Sequence, residues 1–198
     1  MRSASAIATD DPPVWIQERF LAPEAAARWF RWTLRALPWR QDRVRMFGRE
    51  HVCRRQTAFL AEGGARYGYS GVVHQGTGLG LRLDTLLMAV NTVLGTTFDS
   101  VLATRYRNGD DRLGWHADDE PELGPDPALA VLSLGAARTL AFRTRESGAK
   151  RVRKRYTLIS GTLLFMAPGT QRRWQHCVPQ QRGAGERVSL GFRRLRWS

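Results

Sequence analysis

From Ser100 onward the chain alternates short apolar runs with turn residues: "SVLATRYR" (100–107), "ALAVLSLG" (128–135), "TLAFRTR" (139–145), "YTLISGTLLFM" (156–166) and "RVSLGFRRL" (187–195). Runs of this length, separated by Gly, Pro, Asn and Asp, read as strands, and "RYGYSG" (66–71) reads as an earlier one. Each strand must bury a face against something, so many of them in close succession restrict the architecture more than any other feature. They predict a β-sandwich or jelly-roll core. Two helices precede it. "PEAAARWFRWTLRAL" (23–37) places Ala26, Trp29, Phe30, Thr33, Leu34 and Leu37 on one stripe, with Pro23 in the first turn and Pro38 as the stop. Leu83, Leu86, Leu87, Val90, Val93 and Leu94 make a second stripe that ends at Gly95. No internal repeat or linker interrupts the 198 residues, so one domain is expected, burying roughly 70% of the surface of its unfolded chain.

Composition narrows the class. Hydrophobic content is 42% and charged content 25%, as in a globular protein. No run approaches the ~18 apolar residues of a membrane span. "MRSASAIATDDPP" has no apolar signal core, so neither secretion nor a membrane partner is expected. Cys53 and Cys177 lie in no CxxC pair and are expected to be free thiols. The formal charge is +13, from 31 basic and 18 acidic residues. Such a field attracts polyanions. All the basic residues except Lys150 and Lys154 are Arg, a choice that a GC-rich coding bias also explains. That bias does not account for the excess over Asp and Glu.

The chemistry-bearing stretch is "RYRNGDDRLGWHADDE" (105–120). Non-haem Fe(II) oxygenases hold iron with two His and one carboxylate on one face, leaving positions open opposite. In an extended segment residues two apart point the same way, so His116 and Asp118 can reach a common ion. Of the remaining histidines, His51, His74 and His176, the last lies among the late strands and is the natural third ligand. An HxD pair alone is equally a surface His beside a solvated acidic turn. In "RVSLGFR" a strand would put Arg187, Ser189, Gly191 and Arg193 on one face and Val188, Leu190 and Phe192 against the core. The arginines either face solvent, the commoner case for an isolated strand, or turn inward, which is costly unless they meet anions; a dicarboxylate would satisfy one through a bidentate pair.

Together these segments resemble the AlkB-type, Fe(II)- and 2-oxoglutarate-dependent nucleic-acid dealkylases, nearest to the duplex-acting DNA-repair members and their bacterial relatives. The likeness covers roughly 39–195 with the motifs in the family's order. It implies a mixed α+β, mainly β fold: a double-stranded β-helix (jelly-roll) core buttressed by helices, with an N-terminal nucleotide-recognition lid. The chain would divide into an arm (1–22), helices and lid (23–98) and the catalytic core (99–198). The resemblance assigns His116, Asp118 and His176 (in "WQHCVP") to iron, and Tyr106 and Arg187 to 2-oxoglutarate. Arg193 would line the site near the metal and the cosubstrate. Thr104 and Ser189, where the family usually has Asn, would complete the cosubstrate pocket. The implied reaction consumes O2 and 2-oxoglutarate, hydroxylates an N-alkyl carbon of a base such as 1-methyladenine or 3-methylcytosine, and releases succinate and formaldehyde.

A base inside a duplex must be flipped to reach such a site. "RVRMFGREHVCRRQTAF" (43–59) resembles the lid hairpin, with Phe47 as a wedge at the vacated position and Arg54 beside the backbone. "RYGYSG" resembles the next recognition strand, with Tyr67 and Tyr69 at the pocket and Tyr69 stacking on the base. Glu120 resembles a residue that contacts the alkylated base. "RTRESGAKRVRKR" (143–155) is expected at a basic hairpin tip. The implied partner is alkylated DNA, single- or double-stranded, or RNA. The chain would act as a monomer, in the cytoplasm on the nucleoid of a bacterium or in a eukaryotic nucleus. Two other readings stay open: an oxygenase of the same cofactors with a non-nucleic-acid substrate, and a catalytically silent nucleic-acid binder.

Overall fold

The fold is described from a computed structural model over residues 11–46, 49–69, 71–146 and 152–196, with only the backbone of 44–46, 49–51 and 69. Strand β1 (Val14–Gln17) leads into helix α1 (Pro23–Ala36). A hairpin of β2 (Arg40–Met46) and β3 (Arg49–Leu60) follows, then a second of β4 (Arg66–Tyr69) and β5 (Val72–Gln75), and helix α2 (Gly80–Leu94). Next come β6 (Ser100–Tyr106), β7 (Leu113–His116), a 3-10 turn (Pro121–Leu123), β8 (Leu129–Gly135) and β9 (Arg138–Thr144). The chain continues through β10 (Arg153–Leu158), β11 (Leu163–Met166), the single turn α3 (Thr170–Arg173), β12 (Trp174–Val178) and β13 (Arg187–Arg193).

Local chemistry explains the helix ends. Pro23 opens α1, where its missing N–H would have had no helical partner anyway. Ala26 and Thr33 are the fully buried positions of the predicted stripe, and the Thr33 hydroxyl donates to the Phe30 carbonyl at 2.8 Å, so its polar atom is satisfied. Helix α2 starts before the predicted Leu83 and ends as expected: Gly95 adopts a left-handed conformation (φ 62°) and donates its N–H to Asn91 O.

A seven-stranded sheet runs β1-β11-β8-β13-β6-β3-β2, a four-stranded sheet runs β10-β9-β12-β7, and every pairing is antiparallel. The two-residue period of β6 divides the interior. Val101 and Ala103 join Leu83, Leu86 and Val90 of α2 in one apolar cluster, while Leu102 and Tyr106 join Phe142 and Trp174 of the smaller sheet in another. The helices therefore cover the outside of the large sheet and the active-site residues lie between the sheets. This is the expected jelly roll.

One sequence expectation needs correction. The run 156–166 is two strands in different sheets, because Ser160-Gly161 turns the chain; Gly161 has φ 87°, and its carbonyl accepts the Leu21 N–H at 3.1 Å. An added Cβ at Gly161 would lie 2.4 Å from Leu21 O. An uninterrupted apolar run hides such a turn. Nor is the chain from Ser100 onward made of strands and turns alone, since the 3-10 turn and α3 intervene. The β2–β3 hairpin extends the large sheet through β3, whereas β4 and β5 form a separate pair. Phe47 lies outside the described residues, as do 147–151 of the expected basic tip. Cys53 and Cys177 are free, and no helix among the described residues is long and apolar enough to cross a membrane.

Candidate active site

Strand register builds the site from both sheets. On β7 and β12, His116 and His176 are direct partners, their rings 4.2 Å apart. Asp118 follows β7 by two residues, as the extended-chain period requires. Its Oδ1 is 4.0 Å from His116 Nε2 and its Oδ2 is 3.6 Å from His176 Nε2. Donor atoms of all three residues lie within 4.8 Å of one another, a set that could hold a metal ion. His116 Nδ1 lies 2.9 Å from the Gly114 carbonyl. A carbonyl only accepts, so Nδ1 carries the proton and the Nε2 lone pair is left for a metal. Burial, then the neighbouring His116, pulls the His176 pKa down to about 3, so at neutral pH the His176 ring is uncharged and able to ligate.

Asp118 is 2% exposed. Burial alone would raise its pKa, but the Arg193 guanidinium, then both histidines, and a hydrogen bond from Arg193 hold it at about 2. Arg193 Nη2 donates to Asp118 Oδ1 at 3.2 Å, and Nη1 to the Gly191 carbonyl at 3.0 Å. Gly191 makes this possible, since a Cβ there would sit 2.5 Å from Arg193 Nη1. The Asp118 N–H donates to Gln171 Oε1 at 3.1 Å, which fixes the ligand loop against α3. Partners of this kind set metal affinity, so Gln171→Ala is expected to weaken Mn(II) binding ~10–100-fold in a metal titration while leaving the secondary structure intact.

Beside this cluster, β13 lies between β6 and β8. Register places Arg187 against Tyr106 and Gly135, Ser189 against Thr104 and Ser133, and Gly191 against Leu102 and Val131. The middle rank is three hydroxyl residues, and the rank beyond it carries the cation. Arg187 is 1% exposed; its Nε donates to Ser133 Oγ at 2.9 Å, its Cζ is 5.2 Å from the Tyr106 ring centroid, and its Nη1 is buried with no hydrogen-bond partner. Such a group wants an anion. One cavity is lined by His116, Asp118 and His176 together with Thr104, Tyr106, Arg187, Ser189 and Arg193. An ion at the triad and a short dicarboxylate reaching Arg187 both suit these residues.

Towards the lid, Tyr67 is fully buried, with Arg193 Cζ 5.6 Å from its ring centroid. Its hydroxyl donates to Glu120 Oε2 at 3.1 Å. Burial, then Asp118, pushes the Glu120 pKa up to about 7. Glu122 Oε1 accepts the Gly68 N–H at 3.1 Å, tying β4 to the loop after the ligands. Only the backbone of Tyr69 is described, at the end of β4. Arg54 is exposed on β3, away from the cavity, and its carbonyl accepts a 2.7 Å hydrogen bond from Arg107.

A family model described as the 2OG-Fe(II) oxygenase superfamily matches residues 14–195. The chain belongs to that superfamily. The superfamily is described by Fe(II) and 2-oxoglutarate, and the His116–Asp118–His176 cluster with the buried Arg187 suits that pair. Within the superfamily its likeness is to AlkB-type members. It is 36% identical over 159 residues to DNA oxidative demethylase ALKBH2 of Mus musculus, covering 77% of this chain and 66% of that protein. It is 43% identical over 118 residues to alpha-ketoglutarate-dependent dioxygenase alkB homolog 3 of Homo sapiens, covering 56% of this chain and 41% of that one. The chain thus spans less than two thirds of the length of these relatives. In fold it matches the solved structure of OsALKBH1 with a TM-score of 0.63 at 16% identity, over 93% of this chain and 97% of that one.

Three residues that the sequence reading passed over shape this oxygenase site: Ser133, Gln171 and Arg138. Ser133 had a signal, a lone polar residue on the inward parity of an otherwise apolar strand. Gln171 had none, because it reaches Asp118 only through tertiary packing. Arg138 is fully buried at the start of β9.

Proposed function

We propose that this chain removes N-alkyl groups from bases such as 1-methyladenine and 3-methylcytosine in DNA, by oxidative direct-reversal repair, with RNA as a second substrate. The observation that carries the reading is the His116–Asp118–His176 cluster sharing one cavity with the buried, unsatisfied Arg187 Nη1. Bound Fe(II), with 2-oxoglutarate and O2, supplies the oxidant for an N-alkyl C–H bond; the hydroxylated product then loses formaldehyde. The protein's part is binding, orientation and electrostatics.

His116, Asp118 and His176 would hold the iron. Arg187, held by Ser133, pairs with the far carboxylate of 2-oxoglutarate, with Tyr106 alongside and the Ser189 and Thr104 hydroxyls along its length. Arg193 keeps Asp118 ionised and turned towards the metal. Tyr67 and Glu120, hydrogen-bonded to each other, lie beside Arg193, Tyr69 stacks on the flipped base, and Phe47 fills the gap that the base leaves. Arg54 and the exposed Arg153 and Arg155 of β10 offer charge to the phosphates. The chain works as one domain and as a monomer, on the nucleoid of a bacterium or in a eukaryotic nucleus. The relatives' names, DNA oxidative demethylase ALKBH2 among them, support a nucleic-acid substrate, as does the +13 charge.

The test is product analysis with Fe(II), 2-oxoglutarate and an oligonucleotide carrying 1-methyladenine or 3-methylcytosine. Formaldehyde and succinate should appear together, and His116→Ala should abolish both. Succinate without formaldehyde or base repair would show a working iron site whose substrate is something else.

A further inference from the structure

Arg138 brings a positive charge into the interior that the roles above do not use. Its side chain is 0% exposed. Nη1 donates to Asn108 O at 3.1 Å, and Nη2 to Asp111 O and Pro179 O, each at 2.8 Å. These carbonyls belong to two loops, the turn after β6 and the segment after β12. The loops also meet directly. Gln181 N donates to Gly109 O at 2.9 Å, and a Cβ on Gly109 would be 1.8 Å from Gln181 O. So the loops have their own means of docking, and Arg138 is more than a brace.

All three acceptors of Arg138 are neutral. The nearby Asp111 carboxylate turns instead to Arg107, whose Nε lies 3.1 Å from Oδ2. Arg138 Nε is buried with no hydrogen-bond partner. Arg138 Cζ lies 5.4 Å from the Tyr106 ring centroid and Arg187 Cζ lies 5.2 Å from the same centroid. Two buried guanidiniums therefore flank one phenol, with no carboxylate paired to either among the described residues. Buried like charges this close oppose each other unless an anion joins them. Arg138 does not line the cavity, whereas Tyr106 and Arg187 do.

We propose that Arg138 is a positioning residue for cosubstrate choice: acting through Tyr106, it adds a second positive charge behind the Arg187 seat and sets the preference for a 2-oxo acid with a far carboxylate. The inference rests on the reading of Tyr106 and Arg187 as the 2-oxoglutarate seat. Arg138 holds Tyr106 in place against Arg187 and supplies long-range attraction in a region of low dielectric.

The experiment is equilibrium binding by calorimetry to the Fe(II)-loaded full chain under anaerobic conditions. The ligands are 2-oxoglutarate and 2-oxobutyrate, which keeps the 2-oxo acid but lacks the far carboxylate. Arg138→Gln, which retains donors for the loop carbonyls, should weaken 2-oxoglutarate roughly ten- to thirtyfold and leave 2-oxobutyrate nearly unchanged. Arg138→Lys, which keeps the charge and loses the fork, should restore most of the preference. Equal weakening of both ligands in Arg138→Gln, or no change in their ratio, would reduce Arg138 to a loop brace and overturn the proposal. Should the Gln variant not fold, the Lys variant decides, and its losing the preference would be the overturning result. Arg187→Met is the reference: if it too keeps the wild-type ratio, the seat itself has been misassigned, which is distinct from Arg138 alone failing.

Discussion

Asp118→Ala is expected to abolish iron binding and, separately, to destabilise the apo protein by about 3–5 kcal/mol, because it leaves the Arg193 guanidinium buried without its counter-charge. Arg193 is 7% exposed and its Nη2 lies 3.2 Å from Asp118 Oδ1, so little water can replace the carboxylate. For a chain of this size each kcal/mol corresponds to roughly 2–4 °C, so the midpoint should fall by about 6–20 °C in a thermal scan without metal. The double variant Asp118→Ala/Arg193→Met separates the two effects. It removes the orphaned charge, so most of the lost stability should return, while iron binding stays absent. An unchanged midpoint in the single variant would mean that the pair contributes nothing to folding.

Arg187→Met should act in the opposite sense on the two properties. The side chain is 1% exposed and its Nη1 has no hydrogen-bond partner, so burial opposes the charge and pulls its pKa below the ordinary value. Methionine of similar length removes that cost, and the apo protein should be as stable as the parent or more so. Affinity for 2-oxoglutarate should fall by about 2–5 kcal/mol, the loss expected when one partner of a buried charge pair is truncated, or roughly 30-fold to 4,000-fold. Affinity for the alkylated oligonucleotide should not change, because Arg187 is buried against Ser133 and Tyr106 and out of a polymer's reach. A variant that loses stability and cosubstrate binding in parallel would mark Arg187 as a packing residue. Stability held in reserve at a functional cation is the pattern expected where a site is shaped for a ligand rather than for the empty fold.

The contrast between Arg187 and Arg193 also explains why the terminal strand could be read only in part. Alternation in "RVSLGFR" is visible in any single sequence, and it correctly turned Val188, Leu190 and Phe192 to one side and both arginines to the other. Nothing in the alternation distinguishes solvent from a second sheet. That both faces are buried follows from the central place of β13 between β6 and β8, with the small sheet packed across it. Likewise His116 and Asp118 share a direction because of the local two-residue period, but His176 joins them only because β12 pairs with β7 in the register that opposes the two histidines. The chain separation between them leaves no local signature.

By itself the sequence determined the elements whose causes are local: α1 between its two prolines, the left-handed stop of α2 at Gly95, the alternation of β13, and the HxD half of the metal cluster. It also carried the order of motifs that pointed to the family. The tertiary structure decided what depends on contacts between distant segments. It split the 156–166 run at Gly161, brought Gln171 to Asp118 and Ser133 to Arg187, and drove Arg138 beneath Tyr106. The physical reason is the same in each case. Backbone periodicity fixes where a side chain points relative to its neighbours in the chain, whereas burial, charge pairing and pKa depend on which other segment lies opposite.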